Sequence, residues 1–171
     1  MKTVIPKDFL EKINFGKVGR YALYLLVVLI LQNIIFTQLR IFCVCPLVLP
    51  AVAVAIGMFE GATWGAVFSL FMGIFADMAF IDNTVFFTIL FPVLSFLAGF
   101  VSNFFINRRF FAFMGAAAVG LLLTAAAQLL KTSASDSFST VMIITGLLQT
   151  LWSLPFAALV YFPPSRLSRL E

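Results

Sequence analysis

Apolar residues fall into six blocks separated by short polar or charged stretches, at 21–36, 47–59, 61–80, 84–105, 110–130 and 138–162. Each block is read as a membrane-crossing helix, for which about 20 residues suffice. The second block is the shortest. Pro46 and Pro50 interrupt its start and Glu60 closes it, so a re-entrant segment and a five-span chain stay open beside a full crossing. No fixed-period repeat or long linker divides the chain, and residues 1–171 are read as one integral membrane domain. The first apolar run follows mostly polar residues and ends without a small-x-small pattern, so it reads as a retained anchor and not a cleaved leader. Ahead of it, Ile5, Phe9 and Ile13 recur every four residues among Lys7, Lys12 and Lys17. The segment 1–20 is therefore either an amphipathic helix on the anionic inner surface or a flexible cytoplasmic tail.

Inside the third block, Gly61, Gly65, Ser69 and Gly73 stand four apart and lead to Asp77. Residues at this spacing share one side of a helix, drifting slowly around it, and a ridge without side-chain bulk lets another backbone approach closely. The ladder is read as a packing surface, taken up by another helix of the chain or by the single span of a partner. Asp77 closes it about 24 Å from Gly61 at 1.5 Å per residue. A carboxylate at a helix C-terminus opposes the helix dipole. Asp77 is expected to pair with Arg40 or Lys131, to meet the end of a neighbouring helix, or to be wetted by water at the interface. A second polar set, Thr145, Gln149 and Ser153, lays a stripe on the last block near Pro155. Gln128 and Thr124 on the fifth block, with Gln32 and Asn33 on the first, are expected to meet it through interhelical hydrogen bonds or to line a small cavity.

Composition agrees with a bilayer setting: 63% of the 171 residues are hydrophobic and 11% charged, and the mean hydropathy is +1.11. A soluble domain carries roughly 25% charged residues. The net charge of +4 does not indicate nucleic acid, because the basic residues sit at block ends and not in an aromatic-interleaved patch. They set orientation instead. Six spans with the N-terminus inside place Lys2, Lys7, Lys12, Lys17, Arg20, Arg108, Arg109, Arg166 and Arg169 in the cytoplasm and only Arg40 and Lys131 outside, nine against two. Both termini are expected in the cytoplasm.

Signals for catalysis are sparse. The chain has no histidine, which removes imidazole acid, base and ligand roles. Cys43 and Cys45 fall short of the four ligands of a structural zinc site and read as small packing residues. Asp77 and Asp82, five apart, do not suit a shared proton. The glycines follow helical spacing and form no phosphate loop. No enzymatic activity, metal or cofactor is expected.

The order of pieces resembles the bacterial rod shape-determining protein MreD family. It lies in Leu31-Gln32-Asn33, then Pro46-Leu-Val-Leu-Pro50 and a short span, then Gly61-Ala-Thr-Trp-Gly65 and Phe71-Met-Gly73-Ile-Phe-Ala-Asp77. Hydropathy and length match over nearly the whole chain, while the motif content is concentrated in residues 31–77. Ser69 stands where relatives carry glycine, and Ile81-Asp82-Asn83-Thr84 replaces a leucine-glycine turn after the aspartate. The resemblance implies an all-α, six-helix, S-component-like bundle. It also implies a non-enzymatic scaffold of cell elongation and peptidoglycan synthesis that binds MreC beside a glycan polymerase and a class B penicillin-binding transpeptidase. Because that architecture is shared with the substrate-binding S components of ECF vitamin transporters, a ligand-binding reading stands beside it, with Gln149 in a ligand wall.

Overall fold

The computed structural model describes residues 15–36, 38, 44–79, 85–104, 110–135 and 140–162. Among these the chain is all-helical, with six helices and no strand. Helix α1 covers Phe15–Leu31 and widens into a π-turn at Gln32–Phe36; α2 is Leu49–Glu60, α3 Ala62–Ala79, α4 Phe86–Phe104, α5 Phe110–Ser135 and α6 Thr140–Val160. The stretches Gly19–Phe36, Phe110–Leu130 and Ile143–Val160 are long and apolar enough to cross a membrane, while Leu49–Glu60, Ala62–Met78 and Phe86–Ser102 are shorter. The outer surface is apolar as well: Leu23, Ile89, Phe111, Leu130 and Leu151 are each more than half exposed. Apolar surface this continuous suits lipid, not water, and suggests a membrane protein.

The order of elements around the bundle follows from α2. Eleven of its 12 residues, Leu49 to Phe59, are buried, so the element that looks weakest in the sequence is the central rod. Ala51, Ala53, Ala55 and Gly57 keep it slim, and the other helices form a ring around it. In that ring α1 touches α3 through Tyr21 and Phe68 and touches α6 through Phe36 and Phe156. Helix α3 packs on α4, α5 packs on α6, and α4 leans on α5.

Neighbouring helices run in alternate directions. At one end of the bundle the start of α1 meets the end of α2 at Tyr21 and Glu60. There Tyr161, just past the end of α6, packs against Phe59 of α2 and against Phe110 and Phe113 of α5. At the other end Gln32 of α1 meets the start of α2, and Asp77 of α3 meets the start of α4. One residue joins α2 to α3. Gly61 makes this turn at φ +90°, a conformation that side chains other than glycine's resist.

From Gly65 to Gly73 the small-residue ladder is filled by the chain itself; Gly61, expected to begin it, lies instead in the turn before α3, with nothing within 4 Å of an added Cβ. A Cβ on Gly65 would lie 2.6 Å from Gly57 Cα and from Ser95 Oγ, and one on Gly73 would lie 2.5 Å from the Phe87 carbonyl. Four residues advance a helix by about 400°, so the ladder turns some 40° per step. Gly65 therefore faces α2 and α4 together, whereas Gly73 faces the first turn of α4. Ser69 between them is fully buried. Gly99 of α4 closes the same junction, since a Cβ there would lie 2.5 Å from Ala62 N and 2.7 Å from Gly57 O. With lipid as solvent, helices gain little from burying apolar area against one another, and this close contact supplies dispersion energy instead.

Gly73→Ala is expected to destabilise the fold by about 1–3 kcal/mol, because backbone atoms cannot move away as a side chain would. Gly115 has nothing within 4 Å of an added Cβ. Gly115→Ala should be neutral or gain up to about 1 kcal/mol from helix propensity. Thermal unfolding in detergent checks the pair, and equal melting temperatures would contradict the account.

Candidate functional site

Two polar constellations hold helix ends, one at the tip of α3 and one where α2 begins part-way along α1 and α6. In the first, the Asp77 carboxylate accepts three hydrogen bonds from the first turn of α4. Phe87 N donates to Oδ1 at 3.0 Å, and Thr88 N and Thr88 Oγ1 donate to Oδ2 at 2.7 and 2.6 Å. Asp77 lies at the negative end of its own helix, but it also caps the positive end of the next one. The N–H groups of a first helical turn have no partner within their own helix, and a negative charge is favoured there. Of the partners expected for Asp77, the end of a neighbouring helix is the one seen at these distances. Arg40 and the side chain of Lys131 lie outside the described residues, as do Cys43, Asp82 and the N-terminal segment before Phe15.

The second constellation surrounds the chain just before α2. Residues 45–48 are not helical, and residues 46–48 are buried. Their backbone groups need partners, and side chains from two helices provide them. Gln32 of α1 donates from Nε2 to Pro46 O and accepts from Val48 N, both at 3.0 Å. Ser153 of α6 accepts from Leu47 N at 2.8 Å and donates to Gln149 O at 2.7 Å. Gln149 donates from Nε2 to Cys45 O at 3.3 Å. Helix α2 has no cap from its own side chains, and Pro50 in its first turn removes one N–H that would otherwise need a partner. Its cap comes from α1 and α6.

The polar stripe of α6 does not face one way. Ser153 is fully buried, Gln149 is half-buried, and Thr145 is exposed, with its hydroxyl bonded to Val141 O of its own helix. The rotation of about 40° per four-residue step accounts for this grading. Gln128 of α5 lines a small opening with Thr145 and Gln149. Thr124 and Asn33 bond to carbonyls of their own helices and do not reach across. The sequence reading missed Tyr21 and Glu60: the buried Tyr21 hydroxyl donates to Glu60 Oε1 at 2.6 Å and relieves a carboxylate at the C-terminus of α2. A tyrosine 39 residues from its acceptor leaves no local pattern to read.

Compared with known protein families, curated proteins and solved structures, the chain matches none of them. What the site does must therefore be read from its own geometry. Among the described residues no group of three or more histidine, cysteine, aspartate or glutamate side chains comes together. The arrangement fixes helix ends: Asp77, Gln32, Gln149 and Ser153 bond to backbone, while Thr88 Oγ1 and the Tyr21 hydroxyl donate to carboxylates.

Asp77→Ala is expected to cost about 1–2 kcal/mol, the usual effect of losing a helix cap. Thr88→Ala, which keeps both backbone N–H donors, should cost less. A larger loss for Thr88→Ala in thermal unfolding would contradict the capping account.

The serines make a sharper test, because Ser95 and Ser153 are both fully buried while the Ser95 hydroxyl has no hydrogen-bond partner. Ser153→Ala and Gln32→Leu each leave buried backbone groups unpaired, at about 1–3 kcal/mol per group. Ser95→Ala removes an unpaired hydroxyl and should be neutral or stabilising. Denaturant or thermal titration of the three variants would contradict this if Ser95→Ala proved the most damaging.

Proposed function

We propose that this chain is a six-span membrane protein with both termini in the cytoplasm. In this reading it is a non-enzymatic scaffold subunit of the bacterial cell-elongation machinery that binds MreC. The observation that carries the proposal is the meeting of Gly65, Gly73 and Asp77, which carry the resemblance to MreD, in one junction with α4. A motif that decides how helices lock together is what a scaffold needs. The alternating helix directions support six crossings, and the nine-to-two excess of basic residues that the sequence assigns to the cytoplasmic block ends supports the orientation. In this reading α2 belongs to the second crossing: its 12 residues reach only about 18 Å, and the non-helical residues 44–48 before it make up the remaining length.

The filled ladder directs partner binding outward. Among the described residues, apolar grooves lie on the outside between α1 and α3, of about 630 Å³, and between α4 and α5, of about 500 Å³. The vitamin-transporter reading is weaker on volume. The polar opening beside Gln149 measures about 220 Å³, below the roughly 300–1,000 Å³ of small-molecule pockets.

Pull-down from mild detergent with mass spectrometry of the partners tests the proposal. MreC is the expected companion, together with the glycan polymerase and the class B transpeptidase. Recovery of an energising transport module without MreC would overturn the scaffold reading.

A further inference from the structure

The grooves beside α1 and α4 are lined almost wholly by apolar side chains. The opening between α5 and α6 differs. Its walls carry Gln128, Thr145 and Gln149, and it measures about 220 Å³. Behind it lies a chamber of about 10 Å³ with Leu47, Thr150 and Ser153 in its lining; the two share Ala125, Gln128 and Gln149. The inner chamber therefore touches the non-helical backbone at residues 45–48, whose outermost clamp, Gln149 Nε2 to Cys45 O, is also its longest at 3.3 Å. A void holds water when it is polar and at least about the size of one water probe, with two to four hydrogen-bonding groups in reach. The inner chamber is of that size, and its lining is mostly apolar. The groups a water would meet are Gln128 and Gln149, shared with the outer opening, and the lone pairs left on Thr150 and Ser153, whose hydroxyls donate to Gly146 O and Gln149 O.

We propose that this opening is a water-filled inlet that leads from the Asp77 end, between α5 and α6, to the unwound start of α2. Its ligand is water. The inlet hydrates backbone that lipid would leave unsolvated, and it makes the Gln149 bond to Cys45 exchangeable with solvent. The sidedness of the inlet rests on the six-span reading, which puts the Asp77 end outside.

Ala125 is the residue that tests it. It is only 9% exposed and lies on the wall of both chambers, about 8 Å inside Leu130 along α5. Leu123, two residues away, is 46% exposed on the outer surface and is the lipid-facing control. The variants Ala125→Cys, Leu123→Cys and Val141→Cys would be made in the full chain with Cys43 and Cys45 replaced by serine. Each would be reacted, in sealed vesicles of known orientation, with a charged, membrane-impermeant thiol reagent. Only the thiolate reacts, and it forms in water and not in hydrocarbon. The expected result is that Ala125→Cys reacts at least about tenfold faster than Leu123→Cys and from the same side as Val141→Cys, although its position is the more buried. Equal, slow labelling of Ala125→Cys and Leu123→Cys, with Val141→Cys reacting, would overturn the inlet. Labelling of Val141→Cys from the cytoplasmic side would overturn the orientation instead, and the comparison of Ala125→Cys with Leu123→Cys would then decide the inlet from that side.

Discussion

The requirement that every buried backbone N–H and C=O find a partner shapes this bundle more than any other constraint. A helix satisfies itself, but a helix that begins part-way through the protein does not. Helix α2 begins there. Its start lies level with Ser153, 13 residues after α6 has begun, about 20 Å along that helix. The chain at residues 45–48 before it is not helical, and four hydrogen bonds with Gln32, Gln149 and Ser153 replace those a longer helix would have made. The π-turn of α1 opens at Gln32, the residue that makes two of these bonds. Such widened turns recur where a helix must place one side chain away from its regular register.

A short central helix leaves room for close packing around it. Because α2 presents alanine, valine and glycine on all sides, α3 and α4 approach it and each other to backbone distance at Gly57, Gly65, Ser95 and Gly99. The ladder of α3 and the slimness of α2 are two halves of one junction. Asp77 completes it at the far end by tying α3 to the first turn of α4, so these two helices are joined by glycine contact along their length and by charge at the tip. The Tyr21–Glu60 bond and the rings around Tyr161 fasten the opposite end.

Much of this frame was legible in the sequence, and the reasons differ from part to part. The block at 61–80 became Ala62–Ala79 and the block at 110–130 became the first four-fifths of Phe110–Ser135, because apolar runs and their charged ends mark helices directly. The oddness of the second block was legible too, in its two prolines and early glutamate. Its central position was not, since a helix buried on every side has the same composition as one facing lipid. The polar residues were found, but their targets were not: Gln32, Gln149 and Ser153 bind backbone atoms of residues 45–48, and a backbone acceptor has no letter in a sequence. Ser153 lies 106 residues from its donor, so only the folded arrangement of helices brings the two together.

The ring is fastened unevenly. Helices α2, α3 and α4 touch through backbone, and any shift there breaks glycine contacts that nothing else replaces. Helix α1 is held differently. Tyr21, Tyr24, Gln32 and Phe36 attach it at separate points to α2, α3 and α6. Between those points Leu26, Ile30 and Ile34 line an open groove against Phe71 and Phe75 of α3. Where helix association is driven by contact and not by the expulsion of water, α1 is held by these separate attachments and not by the apolar area that the groove leaves open. The bundle is thus held in two ways: α2, α3 and α4 are locked through backbone, whereas α1 is pinned at separate points with an open apolar groove between them.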